Sequence, residues 1–381
     1  MNILITGAKG FIGKNLTANL HAVKNGKIKS NISIENIYEY DLDTDINLLD
    51  EYVANCDFVY HLAGVNRPQN QEDFMSGNFT FTSVLLDTLK KHGNKSPVMI
   101  SSSIQAALGN PYGQSKKAGE DLIFEYGKNE NIKTLVYRFP NVFGKWCRPN
   151  YNSAVATFCH NLANDLPITI NDRNIELTLV YIDDVVNELL NALTEEEKRS
   201  GEYCKVSPEY RITLGEIVDL LYSFKASREK RTVPDMSAND RFEKKLFSTY
   251  LSYLPLNGFS YTLKMNSDIR GSFTEIIRTE DRGQISVNIS KPGITKGNHW
   301  HNTKAEKFAV VNGYGVIKFR KINTNEATEY FVCGEKIEVI DIPPGYTHSI
   351  TNLSENKDMI TIMWCNECFD PGNPDTVFEE V

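Results

Sequence analysis

The chain has 381 residues, with 41 Lys and Arg against 49 Asp and Glu, a formal charge of −8, 41% hydrophobic and 24% charged residues. That composition excludes a disordered, collagen-like or fibrous chain, and the acidic balance argues against a general nucleic-acid binder. No apolar run reaches the ~18–20 residues that span a bilayer, and no basic leader precedes an apolar core at the N-terminus, so a cytoplasmic protein with no membrane partner is expected. Seven scattered cysteines make no disulfide framework, and the single pair Cys365 and Cys368 is weak ground for zinc or redox work.

Short apolar runs at 2–6, 37–40, 58–62, 98–100 and 134–137 read as buried strands, with helical stretches at 84–91 and 116–126 between them. Strand and helix in turn predict a doubly wound parallel α/β domain over 1–245. From about Tyr261 the pattern changes to short β-rich segments at 285–289, 307–311, 316–320, 330–332, 338–342 and 359–364, which predict an all-β barrel or double sheet over 260–381. The charged stretch 225–241, containing Pro234, separates them, with the boundary near 245–260.

Gly7, Gly10 and Gly13 form GxxGxxG between the first strand and a helix. The first glycine permits the turn, the second lets backbone approach a pyrophosphate, and the third lets the helix pack close to the sheet. Phe11 and Ile12 belong to the same dinucleotide loop. Asp41, after the second strand, favours an NAD ribose, whereas Lys9 favours a 2′-phosphate and NADP. The residues leave that choice open.

Tyr112 and Lys116 stand at i, i+4 on one helix face. An ammonium beside a phenol lowers its pKa, so Tyr112 can exchange a proton with a carbonyl oxygen while Lys116 also holds the nicotinamide ribose. Ser103 is the favoured substrate-orienting hydroxyl, with Ser102 as the alternative. These motifs resemble the extended short-chain dehydrogenase/reductase family over about residues 1–191. The resemblance places Leu62 and Ala63 beside the cofactor and gives Asn141 a nucleotide-sugar contact. The phosphate-binding arginine usual before the motif Val180–Val185 is replaced by Leu177, with Arg173 a substitute and Arg67, Lys145 and Arg148 further candidates. Ile104 and Gln105 stand where sugar dehydratases of that family carry an acidic pair, which disfavours dehydration.

In the last third, His299 and His301 share a strand face, and Glu306 and His348 can reach the same centre. Three imidazoles and a carboxylate suit a divalent transition metal such as zinc. These blocks resemble the two cupin motifs. Residues 268–275, with Arg270 and Glu275, resemble cupin epimerases acting on nucleotide 4-keto-6-deoxy sugars, in which both positions contact substrate.

The whole chain, in this order of domains, resembles a family of bacterial capsular polysaccharide enzymes that fuse an extended short-chain reductase to a cupin. The resemblance implies NADP(H), zinc and a homodimer. It implies C3 epimerisation of a UDP-4-keto-2-acetamido-2,6-dideoxy-hexose in the cupin and reduction at C4 in the reductase. The product would be UDP-2-acetamido-2,6-dideoxy-L-talose, on the route to UDP-N-acetyl-L-fucosamine. The alternatives are a nucleotide-sugar 4-epimerase with retained NAD and a structural cupin, or a sugar-binding scaffold without chemistry.

Overall fold

The apolar run that opens the chain is a strand whose last four residues are buried, and its alternating side chains feed two cores. Ile3 and Ile5 join Tyr60, Tyr137 and Leu16 on one face of the sheet, while Leu4 joins Val59, Val98 and Val136 on the other. Each fully buried Leu or Ile contributes ~1.5–3 kcal/mol, so both faces must be covered by helices. The computed structural model describes residues 1–68, 70–233, 242–279 and 281–381.

The first elements are β1 (Asn2–Thr6), α1 (Phe11–Lys24), β2 (Asn36–Tyr40), α2 (Asn47–Asn55), β3 (Phe58–His61), α3 (Glu72–Met75), α4 (Phe81–Lys91), β4 (Val98–Ser103) and α5 (Pro111–Glu130). There follow β5 (Thr134–Phe139), β6 (Asn141–Phe143), α6 (Ala154–Ala163), β7 (Glu176–Tyr181), α7 (Ile182–Ala192), β8 (Arg199–Ser200), β9 (Tyr203–Cys204), β10 (Tyr210–Thr213), α8 (Leu214–Lys230) and α9 (Phe242–Leu251). The main sheet has the order β2-β1-β3-β4-β5-β9-β8, parallel from β2 through β9, with β8 antiparallel at its edge. A second sheet has the order β10-β7-β6. This is a Rossmann-like α/β unit. Strand order reverses at β1, which opens a crevice at the carboxyl ends of β1, β3 and β4.

The all-β part contains β11 (Asn266–Asp268), β12 (Gly271–Thr279), β13 (Gly283–Ser290), β14 (Thr295–Trp300), β15 (Glu306–Asn312) and β16 (Tyr314–Lys321). It continues with β17 (Ala327–Cys333), β18 (Val339–Ile342), β19 (Tyr346–Asn352), β20 (Met359–Cys365) and β21 (Val377–Phe378). They form two sheets, β11-β12-β13-β20-β15-β18 and β17-β16-β19-β14-β21. One core joins Phe308, Val310, Ile342 and Met359 of the first sheet to Ile317, Phe319, Val332 and Ile350 of the second. The two sheets therefore pack face to face.

Contacts divide the chain into two units. One is Met1–Tyr222 with the described part of Met236–Pro255; the other is Ser223–Asp235 with Leu256–Val381. The charged stretch from Lys225 is helical as far as Lys230 rather than an open linker. Buried Leu221, Phe224 and Ser227 continue a three-residue period that the surrounding charges hide in the sequence. Pro234 and Arg241 lie outside the described residues. Among those residues, no helix is long and apolar enough to cross a membrane.

Candidate active site and candidate metal centre

The glycine loop is shaped by close approaches that only glycine allows at two positions. Gly7 has φ +73°, and a Cβ there would lie 2.6 Å from the Ala63 nitrogen; at Gly13 it would lie 2.1 Å from the Gly7 carbonyl. Leu62 and Ala63 are thereby held against the loop, with Leu62 N–H bound to the Thr6 carbonyl at 3.0 Å. Gly10 is the N-cap of α1 and brings no side-chain cap. The first amides of α1, from Phe11, Ile12 and Gly13, thus open onto the crevice, the arrangement that binds a pyrophosphate.

Asp41 does not line this crevice. Its carboxylate accepts the Lys9 and Leu42 amides at 2.7 and 2.9 Å, so it pins the loop rather than offering both oxygens to a ribose. The Lys9 ammonium pairs with Asp43. The two residues that point to opposite cofactors are each occupied by the loop itself.

Asn110 caps α5 by accepting the Gly113 amide at 2.7 Å, and Pro111 opens the helix. That start sets Tyr112 and Lys116 one turn apart in the crevice. Lys116 is buried and donates to the Ser101 carbonyl at 3.1 Å. Burial lowers its ammonium to about 8. The Tyr112 phenol is raised, not lowered: burial raises it and the Ser103 hydroxyl only partly offsets this. The sequence argument had Lys116 lowering the phenol, but here Lys116 is turned to a backbone carbonyl. The structure brings Ser103, not Ser102, to Tyr112. Ser102 donates to Glu120 at 2.5 Å, and that fully buried carboxylate is also held by Arg138 through two bonds of 2.8 and 2.6 Å.

The whole crevice, about 540 Å³, also includes Asn141. Its amide also donates to the Thr178 carbonyl at 3.2 Å. Arg173 is not brought in: it is exposed and forked onto Asp219 at 2.7 and 2.8 Å. Arg148 does line the crevice, as do Trp146 and Tyr151, which the sequence reading did not place in the cofactor cleft.

The second site lies in the β-rich unit. β14 and β19 pair His299 directly with His348, after a bulge at Gly297, whose φ is +99°. The bulge re-aims the strand end and brings His299 and His301 together, with ring centroids 4.9 Å apart. Glu306 opens β15. Donor atoms of His299, His301, Glu306 and His348 all lie within 4.8 Å of one another. His348 Nε2 and His301 Nε2 stand 3.2 and 3.5 Å from Glu306 Oε2. None of these three buried atoms is aligned in a hydrogen bond, and His348 Nδ1 is also unpartnered. The atoms face a common centre rather than each other. Metal bonds of about 2.0–2.2 Å would place N and O ligands roughly 3–4 Å apart, so the four residues fit a divalent ion.

His301 Nδ1 is bound to the Asp375 carbonyl, which leaves Nε2 for the centre. The Asp375 carboxylate also gathers the amides of Asn302, Thr303 and Lys304 at 2.8–3.0 Å. Burial and the other imidazoles push His299 down to about 4. Burial would raise Glu306, but His301 and His348 hold it at about 2.

A pocket of about 630 Å³ opens beside the cluster. Glu275 lines it; Arg270 does not, being exposed and bound to Asp268 at 2.6 Å. Glu275 is instead held by Arg231 at 2.8 Å, with Arg278 at 3.4 Å. Arg231 lay in the stretch read as a linker, and nothing in its local sequence marks it. Lys296 and Tyr346, which flank the histidine blocks in sequence, are not among the lining residues; Lys296 is bound to Asn288 and Ile289. Cys365 lines the pocket, but neither it nor Cys368 joins the ligand group.

Residues 3–206 match the NAD dependent epimerase/dehydratase family, and 266–377 match the polysaccharide biosynthesis C-terminal domain. The chain belongs to the NAD dependent epimerase/dehydratase family. A UDP-2-acetamido-2,6-beta-L-arabino-hexul-4-ose reductase from Pseudomonas aeruginosa is 42% identical over 99% of this chain and 98% of the relative. The crystal structure of the capsular polysaccharide assembling protein CapF from Staphylococcus aureus is 52% identical, covers 100% of both chains and gives a TM-score of 0.92. UDP-glucuronate 4-epimerase 1 of Arabidopsis thaliana, 25% identical, covers 63% of this chain and 68% of its own. Within this epimerase/dehydratase family, the chain shares its full two-unit length with the first two relatives and only part of it with the third.

Proposed function

We propose that the chain is a bifunctional nucleotide-sugar enzyme: metal-dependent C3 epimerisation in the β-rich unit, then NADPH-dependent reduction at C4 in the α/β unit. The substrate is a UDP-4-keto-2-acetamido-2,6-dideoxy-hexose and the product UDP-2-acetamido-2,6-dideoxy-L-talose, a precursor of UDP-N-acetyl-L-fucosamine for polysaccharide synthesis. The observation that carries this reading is the presence of two sites on one chain: Ser103–Tyr112–Lys116 on a dinucleotide crevice, and four convergent metal-ligating side chains. The printed activity of the Pseudomonas relative, a 4-ulose reductase over the same full length, supports the C4 step.

In the β-rich unit, which this reading treats as a cupin, His299, His301, Glu306 and His348 hold a divalent ion such as zinc. When bound, the ion supplies Lewis acidity toward a carbonyl oxygen. The 4-ketone makes the C3 hydrogen acidic. A base takes that proton, the electron pair passes to the C4 oxygen, and return of a proton to the opposite face inverts C3. His299, neutral and facing the pocket, serves as ligand or as that base. Glu275 positions the sugar.

In the α/β unit, Gly7, Gly10 and Gly13 with the amides of Phe11 and Ile12 cradle the dinucleotide, beside Leu62 and Ala63. Bound there, NADPH would supply the hydride for C4. Tyr112 donates its proton to the C4 oxygen, Ser103 orients that oxygen, and Lys116 binds the nicotinamide ribose and balances the phenolate that remains. Asn141 contacts the sugar nucleotide. A homodimer is part of the same reading.

The test is incubation of the zinc-loaded protein with the UDP-4-keto sugar and NADPH in heavy water, followed by mass spectrometry. The expected product is reduced and carries one carbon-bound deuterium. Tyr112→Phe should keep deuterium incorporation and NADPH binding but lose reduction by about 10²–10⁴-fold. Reduction without deuterium sinks the cupin step, and turnover without consumption of NADPH sinks the reductase in favour of a 4-epimerase with retained NAD.

A further inference from the structure

Arg231 lies outside both family-matched segments, 3–206 and 266–377, yet it enters the metal-side pocket. Its backbone explains how. The Thr232 amide donates to the Ser227 carbonyl at 2.9 Å, and Arg231 itself takes φ +58°, so α8 ends in a Schellman turn with Arg231 at the left-handed position. Glycine is favoured there, and an L side chain is held in that conformation at a cost. The same turn is stitched to β12: the Arg278 amide donates to the Arg231 carbonyl at 2.9 Å, and Thr232 bridges to Arg278 in parallel. A strained, doubly anchored backbone therefore aims one arginine into the pocket.

That side chain has donors to spare. Its Nε meets Glu275 at 2.8 Å, while its terminal nitrogens hold no hydrogen bond among the described residues. Arg278, Lys264 and Lys304 line the same pocket. Of the three pocket acids, Glu275 is shared between two arginines, Glu306 belongs to the ligand cluster, and Glu367 accepts from the Thr303 hydroxyl, against the four cations Arg231, Arg278, Lys264 and Lys304. With a divalent ion in place the pocket carries net positive charge. A guanidinium with its terminal fork free is suited to phosphate oxygens, which it grips through two bonds.

We propose that Arg231 is the diphosphate-binding residue of the metal-side pocket, so that the β-rich site takes a nucleoside diphosphate and is completed by the end of α8. The inference rests on the two-site reading above and adds a residue to it. Full-length, metal-loaded protein saturated with NADPH would be titrated calorimetrically with UDP. Two UDP sites per chain are expected, one in each unit. Arg231→Gln should lose one site, and Arg231→Lys should weaken that site about tenfold because the bidentate fork is gone. Inorganic pyrophosphate should compete for the same site.

A single site in the unaltered protein, two undiminished sites in Arg231→Gln, or a second site that pyrophosphate does not contest overturns the proposal. If Arg231→Gln loses its metal, Arg231→Lys decides, and unaltered UDP affinity in that variant overturns it. Heavy-water exchange at C3 is read separately. Exchange with only one UDP site removes the role of Arg231 and leaves the reaction standing. Two UDP sites without exchange remove the reaction and leave the binding site.

Discussion

In the α/β unit the polar side chains of the crevice already have partners: Lys116 on the Ser101 carbonyl, Ser102 on Glu120, Asn141 on the Thr178 carbonyl. In the β-rich unit the reverse holds. His301 Nε2, Glu306 Oε2 and both ring nitrogens of His348 are buried without a hydrogen bond. An unpartnered buried polar atom costs ~1–3 kcal/mol, and a divalent ion would relieve three of these four, since one imidazole gives a single nitrogen to an ion. The first site is complete as protein and adds its ligand onto exposed backbone amides. The second keeps convergent donor atoms that could hold an ion.

The largest effect expected from this contrast is on metal removal. His348→Ala should take the protein from one bound divalent ion to none, measured by elemental analysis. C3 exchange should fall at least about a hundredfold, since Lewis-acid stabilisation is worth several kcal/mol. NADPH affinity should stay unchanged. Chelation of the unaltered protein should also lower its melting temperature, because an ion that binds only the folded state stabilises it by mass action. Full C3 exchange in the metal-free protein would erase the contrast.

The same contrast accounts for how much could be read from sequence. The dinucleotide loop is local: three glycines within seven residues, between a strand and a helix, report their own geometry. The His/Glu cluster was also legible, because His299, His301 and Glu306 lie in one short block and a third histidine follows at His348. Long-range pairings were not. Arg270 and Glu275, five residues apart, were both read as substrate contacts, but the turn between β11 and β12 gives Arg270 to Asp268, and Glu275 takes Arg231 from 44 residues upstream. Arg173 was read as a phosphate contact by its place before β7, but Asp219 on α8 claims it. Asp41 sat where an acid meets a ribose, but it closes on the Lys9 amide. Charged side chains on loops choose partners through tertiary approach, which no spacing rule encodes.

A smaller effect separates two adjacent serines within the α/β unit. Ser103→Ala removes the hydroxyl beside Tyr112 and should lower kcat for reduction by about 10–100-fold with little change in melting temperature. Ser102→Ala should do the opposite. It removes a donor from the buried Glu120–Arg138 pair, costing ~1–3 kcal/mol of stability, with kcat retained. Equal kinetic losses in the two variants would mean that β4 presents both hydroxyls to substrate.

The smallest effect is electrostatic and bears on the claim that the first site is complete. Lys116 is satisfied in hydrogen bonding but not in solvation, since burial depresses its ammonium from 10.5 to about 8. Between about pH 8 and 10.5 the unfolded chain therefore binds a proton that the folded chain does not, and stability must rise with pH across that window. Below pH 8 both states are protonated and the penalty is constant, about 3 kcal/mol at roughly 1.4 kcal/mol per pH unit. Lys116→Met removes the buried charge. It should be the more stable protein at pH 7, and its advantage should shrink between pH 8 and 10.5, read as the difference between two denaturation curves at each pH. Other titrating groups cancel in that difference. An advantage that does not change with pH would place the Lys116 ammonium in an environment as polar as water. A shrinking advantage, together with lost reduction, would mean that the α/β site keeps a destabilising charge because the chemistry at C4 needs it.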